Sequence, residues 1–340
     1  MSINENKAGR RPDIGGQAVL DGVMMKAPEY IAVAVRKPDG DIVIKRDPYV
    51  SPVKKHKWMG LPLIRGAVNM VMMMRLGMEV LSASGEMSGV LDEEPSRFEK
   101  WLAEKLGKGV DKVIMGVAMV LALALSIGLF VLLPNLPAKA LRASGWSLLA
   151  VNLTSGLIRT LLLVGYLIVC GFIPDMRKTF QYHGAEHKTV YAHEAQVELT
   201  PENAKKFSRL HPRCGTSFLL ITFVFSILFF SVMDQLVYSL FGLDLAGAYL
   251  LRVLSRVLLL PLVAGISYEI LKGLAHAETP LARALRWPGM QLQRLTTREP
   301  SLEMLEVAIA SMNAALDGLP EGERTKEGYA LVKKAEPALQ

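Results

Sequence analysis

The stretch VIMGVAMVLALALSIGLFVLL, residues 113–133, decides the fold. It holds no charged side chain over the roughly 20 residues that a helix needs to cross a hydrocarbon layer. In that medium a helix satisfies its own backbone donors and acceptors, which an isolated strand does not. Pro134 follows directly and is expected to end it.

Three further apolar runs lie C-terminal to it: Ser147–Phe172, Ser217–Met233 and Leu250–Ile270. The loop at 173–216 between the second and third carries Arg177, Lys178, Lys188, Lys205, Lys206, Arg209 and Arg213. The loop at 234–249 has Asp234 and Asp244 and no Lys or Arg. Cytoplasmic loops hold the excess of basic residues, so 134–146 and 234–249 read as outer loops and both termini as cytoplasmic. A bacterial cytoplasmic (inner) membrane suits this pattern.

Composition agrees. The 340 residues are 51% hydrophobic and 21% charged, with a mean hydropathy of +0.29, too apolar for an ordinary soluble protein. The net charge of +7 follows from basic cytoplasmic segments. No interleaved basic and aromatic platform speaks for nucleic acid. Two cysteines, Cys170 and Cys214, make no disulfide framework. Arg10-Arg11 is followed by Pro-Asp-Ile-Gly-Gly and not by an apolar run, so no cleavable signal is expected.

Before the first span, Tyr30–Arg36 and Asp41–Arg46 are β-type runs flanking Pro38-Asp39-Gly40, which predicts a β-hairpin. Residues 15–25 either join that hairpin or form a short helix. Leu61–Ser84 is helical and Met-rich, but Arg65, Arg75 and Glu79 interrupt it, so it reads as an interfacial or packed helix outside the membrane core. After the last span, Ser301–Leu316 has Pro300 before it and Leu302, Leu305, Ile309 and Met312 on one stripe, which predicts a helix. Beyond Pro320 the tail is expected to be loose. No internal repeat indicates inverted transporter halves.

The chain therefore reads as an α-helical polytopic membrane protein of about four spans with a small α+β N-terminal cytoplasmic domain. The expected division is 1–112 cytoplasmic, 113–272 transmembrane with the His-rich loop at 173–216, and 273–340 cytoplasmic.

Four of the six histidines, His183, His187, His193 and His211, fall between 183 and 211. His183-Gly184-Ala185-Glu186-His187 is an H-x-x-E-H pattern, which on a helix places two imidazoles one turn apart, a spacing that suits one divalent ion, zinc above all. Glu186 then stands where the inverted zinc-hydrolase motif has its general base. A third ligand is needed, and His193, Glu194, His211, Cys214 and Glu269 are open candidates, with His211 and Cys214 preferred. A hydrogen-bonded His/Glu/Cys network without metal fits the same residues. Arg213, at the start of the third span, and Lys188 are candidates to meet an anionic group; the alternative for Arg213 is a topological anchor. Arg159, Arg252, Arg256 and Glu269 are costly in hydrocarbon and should face one another or a cavity, with Glu269 as the expected partner of Arg159.

Four segments, GQAVLDGVMM (16–25), YHGAEHK (182–188), HPRCGTS (211–217) and PGMQLQRLTT (288–297), together resemble the YqhQ-like bacterial membrane proteins. The resemblance runs from about residue 14 to 315. It implies a membrane location and a label of predicted metal-dependent enzyme on a domain of unknown function, without a substrate. Three functions follow as expectations: a membrane-embedded metal-dependent hydrolase, a non-enzymatic scaffold or regulator docking a cytoplasmic protein, and an oligomeric transporter or channel using Arg159, Arg256 and Glu269. A homo-oligomer stays open.

Overall fold

The structure is a computed structural model that describes residues 14–51, 56–89, 110–243, 249–277 and 279–334. Five antiparallel strands pair in sequence order: β1 (Gly15–Val19), β2 (Gly22–Lys26), β3 (Tyr30–Arg36), β4 (Ile42–Pro48) and β5 (Ala330–Val332). The expected hairpin is β3–β4, with Arg36 opposite Ile42. Asp39 Oδ1 accepts the Asp41 N–H at 3.0 Å, and Gly40 takes a left-handed φ of 95°, a conformation that a Cβ disfavours. Residues 15–25 pair as β1–β2, with Val19 opposite Gly22.

The tail corrects an expectation. It is not loose throughout past Pro320, because β5 pairs with β4 and sets Ala330 opposite Ile44. The physical reason is edge protection: without β5 the β4 edge would offer unpaired N–H and C=O groups. Tyr329 and Leu331 add apolar cover on one face and Ala330 on the other.

The helices, in order, are α1 (Ile64–Ser88), α2 (Val110–Ile127), α3 (Leu133–Ala143), α4 (Leu148–Cys170), α5 (Pro174–Glu194), α6 (Pro201–Lys205), α7 (Gly215–Phe241), α8 (Tyr249–His276), α9 (Pro280–Thr296) and α10 (Leu302–Leu316). The sheet is covered on both faces. Val23, Met25, Ala32, Ala34, Ile42 and Ile44 pack with Tyr182 and Ala185 of α5 and with Leu305, Ala308 and Met312 of α10. Val19, Met24, Ile31, Val33, Val35 and Val43 meet Val80 and Met87 of α1. Two-sided burial explains why Ile31–Val35 is a continuous apolar run instead of an alternating one. Each fully buried large apolar side chain stabilises the layer by about 1.5–3 kcal/mol. Leu305→Ala, at a site with no exposure, is expected to cost about 2–5 kcal/mol. Thermal unfolding of the purified chain in detergent measures it, and an unchanged midpoint would contradict this packing.

Among the described residues four segments are long and apolar enough to cross a membrane: Met119–Ala143, Leu148–Cys170, Gly215–Phe241 and Leu250–Leu274. The first does not stop at Pro134. A π turn at Gly128–Leu132 leads without a break into α3, and Pro134, which has no N–H to give the ladder, falls directly after that change of helical pitch. The third runs on past Met233 to Phe241, which moves Asp234 from the expected loop into the helix. Asp244 lies outside the described residues. The segment 173–216 is largely helical, as α5 and α6. Helix α1 is not among the four. It packs on α8, where the Arg65 guanidinium donates to both Glu269 carboxylate oxygens.

Candidate metal centre

Helix α5 begins on Pro174 with Asp175 in its first turn, a preset φ and a carboxylate placed against the positive end of the helix dipole. Four residues apart on one face, His183 and His187 bring their rings to 4.5 Å between centroids. Each ring is held by its Nδ1. His183 Nδ1 lies 2.9 Å from the Thr296 carbonyl, and His187 Nδ1 lies 2.5 Å from the Arg209 carbonyl. A carbonyl only accepts, so both Nδ1 atoms carry a proton, and in the neutral ring that tautomer leaves Nε2 as the atom able to bind a metal.

Cys214 completes the group. It is the N-cap of α7, its sulfur accepting from the Thr216 N–H, and Sγ stands 3.3 Å from His183 Nε2. Ligand atoms of His183, His187 and Cys214 all lie within 4.8 Å of one another. Two imidazole nitrogens and one sulfur are a donor set that zinc accepts, with room for a fourth ligand. Backbone carbonyls behind both imidazoles supply the outer hydrogen bonds that orient metal-ligating histidines.

Glu186 is 5% exposed, and its Oε2 is 3.4 Å from His187 Nε2. Its place is secured from the sheet side, because a Cβ on Gly16 of β1 would lie 2.5 Å from Glu186 Cγ. Gly184 makes a second close approach, and a Cβ there would overlap the Arg298 carbonyl. Both glycines therefore let backbone come close to α5, one on each side of the H-x-x-E-H turn. Gly184→Ala is expected to cost about 1–3 kcal/mol through overpacking, read as a lower unfolding midpoint. A neutral result would mean that the 298 segment moves away freely.

The other candidates sit elsewhere. His211 accepts the Arg213 N–H on Nδ1 at 3.3 Å, and its Nε2 is 3.6 Å from Glu194 Oε2. Burial holds its pKa below the usual histidine value, against the nearby Glu186 charge. It is outside the His183–His187–Cys214 group, as are His193 and Glu194. Arg213 pairs with Glu194. Lys188 is 4% exposed and donates to the Lys205 and Phe207 carbonyls at 2.9 and 2.7 Å, with Glu299 at 2.7 Å. Its three N–H donors are thus committed inside the fold, which leaves none for an external anion.

Sequence reasoning did not assign a role to Gln293. Its side-chain amide accepts from the His211 N–H and donates to the His211 carbonyl, both at 2.8 Å, and to Ser217 Oγ at 3.0 Å. That amide fastens the 211–217 segment, and with it Cys214, to α9. The available signal was the PGMQLQRLTT segment, whose Thr296 carbonyl also orients His183.

The arginines of the long apolar helices find a different partner from the expected one. Glu269 pairs with Arg65, not with Arg159. Asp234, fully buried, accepts from Arg256 at 2.7 and 2.6 Å and from Asn152 Nδ2 at 3.0 Å, with Arg252 Nε at 3.9 Å. Arg252 also donates to Asn152 Oδ1 at 2.5 Å.

The family model described as a protein of unknown function (DUF1385) matches residues 61–318. The chain is 35% identical over 312 residues to the uncharacterized protein YqhQ of Bacillus subtilis (strain 168), covering 90% of this chain and 92% of that protein. No solved structure matches.

Proposed function

The chain belongs to the DUF1385 family, and we propose that it works as a metal-dependent hydrolase held in a bacterial cytoplasmic membrane by four spans, with its centre at the cytoplasmic face. One observation carries the reading: His183, His187 and Cys214 converge within 4.8 Å while both imidazole Nδ1 atoms are bonded to backbone carbonyls. A purely structural polar knot does not require two imidazoles and a thiol to converge, with the His183 Nε2 3.3 Å from the sulfur. The three residues would hold the ion, and the ion would supply Lewis acidity toward a substrate oxygen or water.

Glu186 then has the role of general base, since its carboxylate borders the group without belonging to it and accepts protons only when ionised. Gly16 and Gly184 keep it there by allowing close packing. The position of α5, between the ends of α4 and α7, supports a site near the membrane surface, where an ester or phosphoester of an amphiphilic molecule is within reach.

Cobalt(II) added to the purified full chain in detergent tests the ligand set. The expected result is a thiolate-to-cobalt charge-transfer band that Cys214→Ser abolishes. Glu186→Gln should keep the band and lose hydrolysis of p-nitrophenyl acetate or bis-p-nitrophenyl phosphate. A chain that shows the band and hydrolyses neither probe sinks the hydrolase reading and leaves a structural metal. A chain without the band sinks both.

A further inference from the structure

The apolar helices enclose a second site that the metal centre does not use. A cavity of about 470 Å3 opens among α3, α4, α7 and α8, and Arg159, Arg252 and Arg256 line it together with Leu163, Phe223 and Leu260. Such a volume is that of a small-molecule pocket. Its walls are mainly hydrocarbon, yet three guanidiniums face it and no acidic residue lines it among the described residues.

Charge balance is the decisive point. Asp234 supplies one negative charge, and its two oxygens are taken by Arg256 and Asn152 with Arg252 close by. Among the described residues Arg159 has no carboxylate partner, and its Nε donates to the Phe130 carbonyl at 3.0 Å. Uncompensated cations between apolar helices are costly and ordinarily face a counter-charge or a functional cavity.

Orphaned polar atoms give a second, independent indication. Ser155 Oγ and Thr222 Oγ1 are buried without a hydrogen-bond partner, and both residues line this same cavity; Asn135 Oδ1 is unpartnered there too, but as an acceptor it would meet a hydroxyl and not the anion. Buried hydroxyls are seldom left unpaired. Two hydroxyl donors lining the same cavity as a guanidinium without a carboxylate partner are the donor set of an anion site, Ser155 and Arg159 lying one turn apart on α4, and a phosphate monoester matches the planar fork of the guanidinium. The adjoining leucine and phenylalanine walls suit an alkyl chain.

We propose that this cavity binds a phosphate-bearing amphiphile, with the phosphate on Arg159, Ser155 and Thr222 and the chain against the apolar wall. The site is distinct from the His/Cys group and requires no metal, so it stands or falls separately from the hydrolase reading.

The test uses the full chain in a neutral maltoside, exchanged until lipid content is constant. Bound phosphorus is then measured, and thermal unfolding is followed with dioctanoyl phosphatidic acid, dioctanoylglycerol or inorganic phosphate. Retained phosphate-bearing lipid, or a rise in the midpoint with phosphatidic acid and none with dioctanoylglycerol, is expected. Inorganic phosphate should act only at far higher concentration. Arg159→Leu should unfold no earlier than wild type without lipid, since it removes an uncompensated charge, and should bind phosphatidic acid about tenfold more weakly or worse. Arg159→Lys should fall between them. The absence of both retained lipid and a shift overturns the proposal, as does wild-type affinity in Arg159→Leu or an equal shift with dioctanoylglycerol. Inorganic phosphate acting at the same concentration as the lipid overturns the amphiphile and leaves a free-anion site.

Discussion

Asp234→Leu is expected to lower the stability of the helical bundle by about 3–5 kcal/mol, the cost of stranding a buried cation by removing its partner. Asp234 has no exposure. Its carboxylate meets both terminal nitrogens of Arg256 at 2.7 and 2.6 Å and holds the Asn152 amide at 3.0 Å. That amide in turn accepts from Arg252. Leucine at 234 would take from Arg256 the carboxylate that both its terminal nitrogens meet, and leave that cation between apolar helices. Denaturant unfolding of the purified chain in detergent measures the loss. Combining Asp234→Leu with Arg256→Leu should recover part of it, because the second change removes the stranded charge, and the coupling between the two is the diagnostic quantity. A loss for Asp234→Leu alone within about 0.5 kcal/mol, typical of an exposed site, would contradict this arrangement.

His187→Ala has the largest expected effect on metal binding by the His183, His187 and Cys214 group. It deletes one of three donor atoms and also the hydrogen bond to the Arg209 carbonyl. Loss of an outer hydrogen-bond partner alone typically weakens metal binding about 10–100-fold, so loss of the ligand itself should exceed that. His211→Ala provides the contrast. His211 lies beside His187, at 5.7 Å between ring centroids, yet contributes no atom to the group, so its removal should leave one ion per chain. Competition against a chromogenic chelator separates the two variants. Equal weakening by both would mean that His211 is a ligand and that the group is drawn wrongly.

Much of this layout was legible in the sequence, and the misses share a cause. Long apolar runs are a property of residue type alone, so the four helices long and apolar enough to cross a membrane, and the charged helix α1 outside their number, could be read from the sequence. Pro38-Asp39-Gly40 carries its own turn chemistry, so the β3–β4 hairpin was local information. The H-x-x-E-H face is also local, set by the 3.6-residue period. What depended on partners distant in sequence was not visible. Cys214 over His211 as third donor follows from the cap of α7 and from Gln293, 79 residues further along in numbering. Asp234 looked like a loop residue because a carboxylate after an apolar run ordinarily marks its end. Only its contact with Arg256 on α8 reveals a buried ion pair. Glu269 was matched to Arg159 by shared cost in hydrocarbon, while the neighbour it actually meets is Arg65 on a helix outside the four. β5 was missed for the same reason, since three residues gain strand character only when β4 offers an edge.

The most direct test of the central claim is the metal content of the full chain, purified without chelators and without a metal-affinity step, measured by element-resolved mass spectrometry. The convergence of His183, His187 and Cys214 predicts about one zinc or other divalent ion per chain, lost from the His183→Ala, His187→Ala double variant. A wild-type chain free of metal, or a double variant with the same metal content as wild type, would contradict it.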